Sequence, residues 1–431
     1  MNGPNIWPPK PKRDHLVDIF SKRRVHRKIN GGIVAMLFAS FFVASPLLAD
    51  GIVNRQTQSS DYVRTLTRHA STNSLDSIVY NPAGVMKFEN GTYAKLDSVL
   101  ISKEYSNTIP GYGKFEDSNT IGFIPAFFAL HKRDDWSVYC SFTVPGGGGI
   151  VDYDKGNATS IAVANGLMAA TPLNTVDAMN VKASSVYFGY TLGGAYAINE
   201  KLSMAAGIRY VDANIDAESN LALSVNGFAS RVFQIDFEQH AGGWGGFAGI
   251  NISPSEKVNI GLVYQSNTRL SFDKDIHRDD INAVGTFAKS REDLPGLIGV
   301  GVGLFLRQDV RLDVNYTHYL EQEATWEGRL DGQGGSYDLT ASAEYTLAPN
   351  LKINLGCRKT HMGIDPDRMG AESPELSSVT VSTGALWNPG HTWAVNLGVA
   401  KVFYDAAVTS QGTEYDKDAV ALFFGVQKKF F

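Results

Sequence analysis

Cysteine occurs only twice in 431 residues, which excludes a disulfide framework or a zinc ribbon. Charged side chains make up 19%, below the roughly 25% of an average soluble protein. No CxxC, HExxH, Walker-type or GxSxG motif is present, so the common catalytic signatures are missing. The nine histidines show no ligand spacing, and neither a metal nor any other cofactor is expected. A net charge of −5 leaves no basic footprint for nucleic acid. Beyond the N-terminal region, no stretch approaches the roughly 20 apolar residues that a spanning helix needs.

What the chain does have starts near its N-terminus. Residues 10–28 carry Lys10, Lys12, Arg13, Lys22, Arg23, Arg24, Arg27 and Lys28 against only Asp14 and Asp18. An apolar run from Ile33 to Ala44 follows and ends in Ser45-Pro46-Leu47-Leu48-Ala49. A basic region, a short apolar core and a small residue before Asp50 read as a secretory signal over residues 1–49. The competing reading is a membrane anchor, for which the run is short. Removing 1–49 strips eight basic and two acidic groups and takes the net charge from −5 to −11. The exported remainder is then either soluble or a membrane protein without spanning helices, which means a closed β-barrel.

Periodicity decides between them. Met204, Ile208 and Tyr210 alternate with Ser203, Gly207 and Arg209; Val310, Leu312, Val314 and Tyr316 alternate with Arg311, Asp313 and Asn315. Leu351, Ile353, Leu355 and Cys357 alternate with Lys352, Asn354, Gly356 and Arg358, and Trp393, Val395, Leu397 and Val399 with Ala394, Asn396, Gly398 and Ala400. A period of two is a strand with one apolar and one polar face. About fourteen such segments are expected: 92–105, 119–131, 136–144, 184–198, 201–213, 238–252, 257–271, 292–306, 309–322, 337–347, 351–361, 377–388, 391–404 and 417–431. Short turns alternate with long connections at 106–118, 145–183, 214–237, 272–291, 323–336, 362–376 and 405–416. That rule belongs to outer-membrane barrels, with short periplasmic turns and long outer loops. The predicted fold is a 14-stranded antiparallel transmembrane β-barrel over 92–431.

The last strand agrees. Val420, Leu422, Phe424, Val426 and Phe430 share one face, interrupted by Lys428, and Phe430-Phe431 close it. A terminal aromatic of this kind is what barrel-assembly machinery reads, so that machinery and outer-membrane lipid are expected partners. Tyr93, Trp136, Tyr264, Tyr316, Trp387, Trp393 and Tyr404 suit interfacial girdles, with core packing as the alternative for each. Cys140 and Cys357 fall on the apolar phase of distant strands and read as lipid-facing thiols, too far apart to bridge.

Residues 50–91 precede the barrel as a polar stretch that ends in Ser77-Ile78-Val79-Tyr80-Asn81-Pro82-Ala83-Gly84-Val85. This Asn-Pro-Ala stretch ahead of fourteen strands resembles the long-chain fatty-acid outer-membrane transporter family (FadL type), which includes aromatic-hydrocarbon uptake channels. Phe127-Phe128-Ala129-Leu130, Asp134-Asp135-Trp136-Ser137-Val138 and Thr143-Val144-Pro145-Gly146 are similar to that family's second and third strands. Asp293-Leu294-Pro295, followed by a hairpin through Tyr316 and Thr317, is similar to its later barrel. The resemblance implies that 50–91 is a hatch plugging the lumen, with Asn81, Pro82 and Ala83 as its motif. It also implies that apolar ligands are caught in an outer groove and leave sideways where the third strand is kinked.

The kink has physical support in Pro145-Gly146-Gly147-Gly148-Gly149. Proline donates no ladder hydrogen bond and glycine interrupts regular pairing, although both also mark ordinary strand ends. The apolar segment Ile161 to Ala170 is helix-competent and either lines the outer groove or packs on neighbouring loops. With apolar phases facing lipid, Arg209, Arg269, Lys352 and Arg358 point into the lumen as candidates to hold a ligand carboxylate. Asp313 and Glu344 are the candidate counter-charges. The expected function is passive, ligand-gated outer-membrane transport of hydrophobic small molecules, foremost long-chain fatty acids, by a monomer without covalent chemistry. The alternatives are an aromatic-hydrocarbon channel, a general hydrophilic porin, a barrel enzyme and an adhesin.

Overall fold

The computed structural model describes residues 56–284, 289–326 and 333–431; the expected signal segment lies outside them. The first seven wall strands are β1 (Gly91–Ile109), β2 (Ile121–Arg133), β3 (Trp136–Tyr153), β4 (Thr175–Asn199), β5 (Leu202–Val225), β6 (Phe228–Ser255) and β7 (Val258–Gln265). The second seven are β8 (Gly296–Arg307), β9 (Val310–Leu320), β10 (Tyr337–Ala348), β11 (Leu351–His361), β12 (Ser378–Trp387), β13 (Trp393–Tyr404) and β14 (Glu414–Lys429). Each pairs antiparallel with its neighbours, and β14 pairs with β1 from Tyr93↔Lys429 to Thr108↔Glu414, which closes the barrel. The C-terminus is drawn into that seam, where the Thr92 amide donates to the Phe431 carbonyl (2.8 Å).

The connection expected at 214–237 is mostly strand, and that at 145–183 begins and ends in strand around a helix, because β3 to β6 run well past the membrane. On β5 the outward residues Met204, Ile208 and Tyr210 give way to Asp212, Asn214 and Asp216, while the inward face changes from Ser203 and Arg209 to Val211, Ala213 and Ile215. Polarity inverts because lipid surrounds the lower part and water the upper. The boundary falls at a row of paired aromatics, Tyr190↔Tyr210↔Trp244. A second row, Trp136↔Tyr196, lies near the short-turn end, six residues along β4 and so about 20 Å away at ~3.3 Å per residue. Trp136, Tyr264, Tyr316, Trp387 and Trp393 are exposed on the outside as girdle residues should be. Tyr93 and Tyr404 depart from the expectation: Tyr93 is buried and faces inward, and Tyr404 is half-buried against the inner core and lines the lumen. Cys140 and Cys357 are free and exposed.

Residues 56–86 lie inside the barrel, in a segment folded as helices α1 (Ser60–Thr65) and α2 (Ser77–Tyr80) and a 3-10 turn at Pro82–Lys87. Ser59 caps α1 by accepting the Tyr62 amide (2.9 Å). The wall meets this segment through glycine. A Cβ on Gly261 would run into the His69 carbonyl oxygen, and one on Gly356 into that of Thr65. Backbone is the obstacle in both cases, so no rotamer relieves the clash. Gly261→Ala should therefore loosen the plug by about 1–3 kcal/mol, read as faster amide hydrogen exchange at Ala70 and Ser71 with the barrel's heat-modifiable gel mobility intact. Unchanged exchange would mean that the wall gives way instead. Outside the membrane, α3 (Ala158–Ala170) is capped by Asn157 and packs Val163, Ala164 and Leu167 on Leu221, Leu223 and Phe233. These apolar side chains of the helix are therefore spent on packing.

A candidate ligand site behind a window in the barrel wall

β2 and β3 pair from Arg133↔Trp136 up to Phe127↔Phe142 and then part. β2 goes on pairing with β1 as far as Ile121↔Ser102, and β3 goes on with β4 to Tyr153↔Val181. The β3–β4 register slips twice, between Thr143 and Gly146 and between Gly146 and Gly149. Gly147 (φ 96°) and Gly149 (φ 75°) take left-handed backbone that other residues rarely adopt. A Cβ on Gly147 would also strike the backbone of Ser185 and Val186. β3 thus leaves the wall at Pro145–Gly149 and rejoins it higher up. There the Lys103 Nζ donates to the Ile150 carbonyl (2.7 Å) and to Asp117 (2.6 Å), and the Asp152 amide donates to Asp117 (2.7 Å). The opening is a bounded window.

Behind it lies a cavity of about 100 Å³. Gly122, Val144 and Gly146 to Gly149 line it on the window side, Val63 and Leu66 on the plug side, and Arg358, Thr380 and Ala400 on the far wall. The one guanidinium in this lining is buried at 4% exposure. Its Nη1 donates to the Tyr62 hydroxyl (3.3 Å) and its Nη2 to Thr380 Oγ1 (3.2 Å), while Nε meets no acceptor. No carboxylate among the described residues bonds Arg358. Tyr62 in turn stacks on Tyr80 (centroids 5.1 Å apart), one residue before Asn81.

The opposite face of α1 is tied to the wall by charge. Lys95 of β1 bridges Asp61 of the plug and Asp97 of its own strand, at 2.6 Å each. Arg64 binds Glu344 (2.8 Å), and Lys352 binds the same carboxylate (3.1 Å). Within the plug, Arg68 grips Asp76 with two hydrogen bonds. Burial pushes the Asp61 carboxyl up, but Lys95, Arg68 and Arg64 together outweigh it and hold the group well below the usual carboxylate range.

The residues singled out from sequence separate into distinct places. Asn81 donates to the Ser71 carbonyl (2.9 Å) and to Asn251 of β6 (2.8 Å). Pro82 sits against Gly249, and the Ala83 carbonyl accepts from Ser203 of β5 (2.8 Å). All three anchor the lower plug to the wall. Pro145 and Gly146 to Gly149 form the window edge. Arg358 reaches the cavity behind it, whereas Arg209 faces a second, smaller one. Lys352 is committed to Glu344, and Asp313 to Arg311 (2.7 Å). Arg269 does not point into the lumen. The ladder of β7 stops at Gln265 and resumes only at Ser271, pairing there back to β6, and the irregular stretch between shifts the phase so that Arg269 is exposed. Tyr62, Lys95 and Thr380 carried no motif that would have marked them.

The family described as "Outer membrane protein transport protein (OMPP1/FadL/TodX)" matches residues 40–327. The chain belongs to it. No curated protein sequence matches. A Pseudomonas aeruginosa FadL homologue is similar in structure with a TM-score of 0.64 at 12% identity, over 86% of this chain and 98% of that one. The Ralstonia pickettii toluene transporter TbuX aligns with a TM-score of 0.62 at 14% identity, over 88% and 100%. The Pseudomonas putida toluene transporter TodX gives 0.60 at 13%, over 83% and 94%. At these identities the likeness establishes a shared fold. As a member of this family the chain is an outer-membrane β-barrel that transports hydrophobic compounds. Its short turns accordingly face the periplasm and its extended strands the outside.

Proposed function

We propose that this channel carries long-chain fatty acids and releases them sideways, through the β2–β3 window, into the outer membrane. The observation that carries the reading is Arg358. A neutral hydrocarbon needs only the apolar lining, and a buried guanidinium bonded only to hydroxyls would be a liability to it. An acidic amphipath uses both parts. Each methylene taken from water contributes about 0.8 kcal/mol, and a charge-assisted hydrogen bond to the carboxylate about 1.5–3 kcal/mol. On this reading the plug is a hatch, and a carboxylate at Arg358 competes with the Tyr62 hydroxyl and so acts on it directly. Lateral exit spares the apolar chain the polar plug below and the polar lipopolysaccharide outside. The driving force is the concentration gradient, and a single barrel suffices.

Toluene transporters are among the structurally similar proteins, so toluene is the comparison compound. In cells lacking their own transporter, wild-type protein should restore uptake of labelled oleate. Arg358→Met should lower that uptake by roughly 10- to 100-fold at limiting oleate and leave toluene entry unchanged. Equal loss of both compounds, or loss of neither, would remove the fatty-acid reading.

A further inference from the structure

A second guanidinium is buried on the other side of the plug, and nothing in the transport reading uses it. Arg209 of β5 is 6% exposed. It lies opposite Gly245 of β6 in the ladder, where no side chain stands in its way, and reaches across to β7. There it meets only neutral acceptors: Nη1 donates to Gln265 Oε1 (2.8 Å) and Nη2 to Thr268 Oγ1 (3.4 Å). Its Nε is buried without an acceptor. The lumen cations Arg64, Lys95 and Arg311 each face a carboxylate. Arg209 faces none among the described residues. An arginine cannot shed its proton to escape this, and an uncompensated buried charge is strongly destabilising.

Beside it is a cavity of about 10 Å³, the room of one water molecule or one small ion. Its polar lining is Arg209, Thr191, Gln58 and Gln265. Gln58 Oε1 takes the Thr143 hydroxyl (2.8 Å) and Gln265 Oε1 takes Arg209 (2.8 Å), so both amide oxygens are already occupied by donors. Ile78, Val79 and Phe247 complete the wall and leave no space for an alkyl chain.

We propose that this cavity binds one halide-sized monovalent anion, chloride in the cell, as the counter-ion of Arg209. The ion would join three parts. Gln265 also donates to the Val79 carbonyl of the plug (3.2 Å), and Gln58 connects the plug to Thr143, two residues before Pro145. An anion here therefore braces the plug against β5, β7 and the strand that forms the window. The site is separate from Arg358, and the inference holds whether or not the cargo is a fatty acid.

The test uses the purified full-length barrel in detergent, with sodium chloride exchanged for sodium gluconate at constant ionic strength. Amide hydrogen exchange at Val79 to Asn81 reports plug opening. Chloride should suppress opening in wild type along a saturable curve, by about tenfold at ten times its dissociation constant. Arg209→Gln should abolish the chloride dependence. In crystals of the wild-type protein soaked in bromide, an anomalous peak should lie within hydrogen-bonding reach of Arg209, a readout that needs no variant. No chloride dependence in wild type, an equal dependence in Arg209→Gln, or no bromide peak would each overturn the proposal. Oleate replacing chloride in wild type but not in Arg209→Gln would also overturn it, by assigning Arg209 to the cargo carboxylate. Loss of oleate uptake in Arg358→Met with chloride binding intact keeps the two readings apart.

Discussion

Lys95→Met should turn a closed channel into an ion-conducting one. The ammonium stands between Asp61 and Asp97, whose oxygens are each 2.6 Å away and so no more than twice that distance apart. All three side chains are buried at about 2% exposure or less. Methionine keeps the volume and removes the charge, leaving two carboxylates facing each other across a low-dielectric gap. Breaking a buried pair in this way costs about 3–5 kcal/mol, which at about 1.4 kcal/mol per decade shifts plug opening by 100-fold or more. In planar bilayers at pH 7 the variant should conduct strongly where wild type conducts little. The pH dependence carries a definite sign. In wild type the Asp61 carboxyl is held well below the usual range, so its contribution is complete above the unfolded value and is lost only as pH falls through the much lower folded one. The Asp61–Lys95 contact itself should therefore persist as pH falls from 7 to about 4. In Lys95→Met one carboxyl of the facing pair takes a proton more readily, so acidification should close the channel again. A variant as tight as wild type at pH 7, yet folded by gel mobility, would show that this cluster does not hold the plug.

How this cluster arises also shows where sequence reading stops. Asp61 and Lys95 are 34 residues apart, and Arg64 and Glu344 are 280 apart. No local pattern couples such residues, so the plug's anchoring was visible only as a polar stretch. The wall was far more legible, because one physical contrast, lipid outside and a polar lumen inside, writes a period of two into every strand. It failed where that contrast fails. Beyond Tyr210 the alternation continues, with Val211, Ala213 and Ile215 against Asp212, Asn214 and Asp216, but its phase is inverted and the apolar residues turn inward; a pattern followed in one phase therefore ends strands four to six too early. Arg269 was misplaced for a related reason, since a phase counted from Val258 does not survive the break after Gln265. Arg358 was legible as a lumen-facing cation. The role proposed for it was not, because that role depends on its hydrogen-bond partners beside the window being the hydroxyls of Tyr62 and Thr380.

That window permits a test that separates route from cargo. Gly122 lies on the inward phase of β2, in register with the buried Ile124, Ala126 and Phe128, and it lines the cavity. A Cβ there would meet nothing closer than the Ile101 Cβ at 3.7 Å, so the position accepts a side chain without disturbing the ladder. Gly122→Trp should lay an indole across the cavity behind the opening. Ile121→Trp, on the adjacent outward-facing position at 69% exposure and absent from the cavity lining, adds the same ring outside. If cargo leaves through the β2–β3 gap, Gly122→Trp drops oleate and toluene uptake together to background, while Ile121→Trp changes neither. Arg358→Met differs from both, because it discriminates between the two compounds. The pattern across the three variants therefore assigns the path to the window and the selectivity to the guanidinium. Full uptake by a correctly inserted Gly122→Trp barrel would instead send the route down the lumen past the plug. In that case the ion pairs at Lys95 and Arg64 would have to break in every transport cycle, and the Lys95→Met variant should then transport faster than wild type.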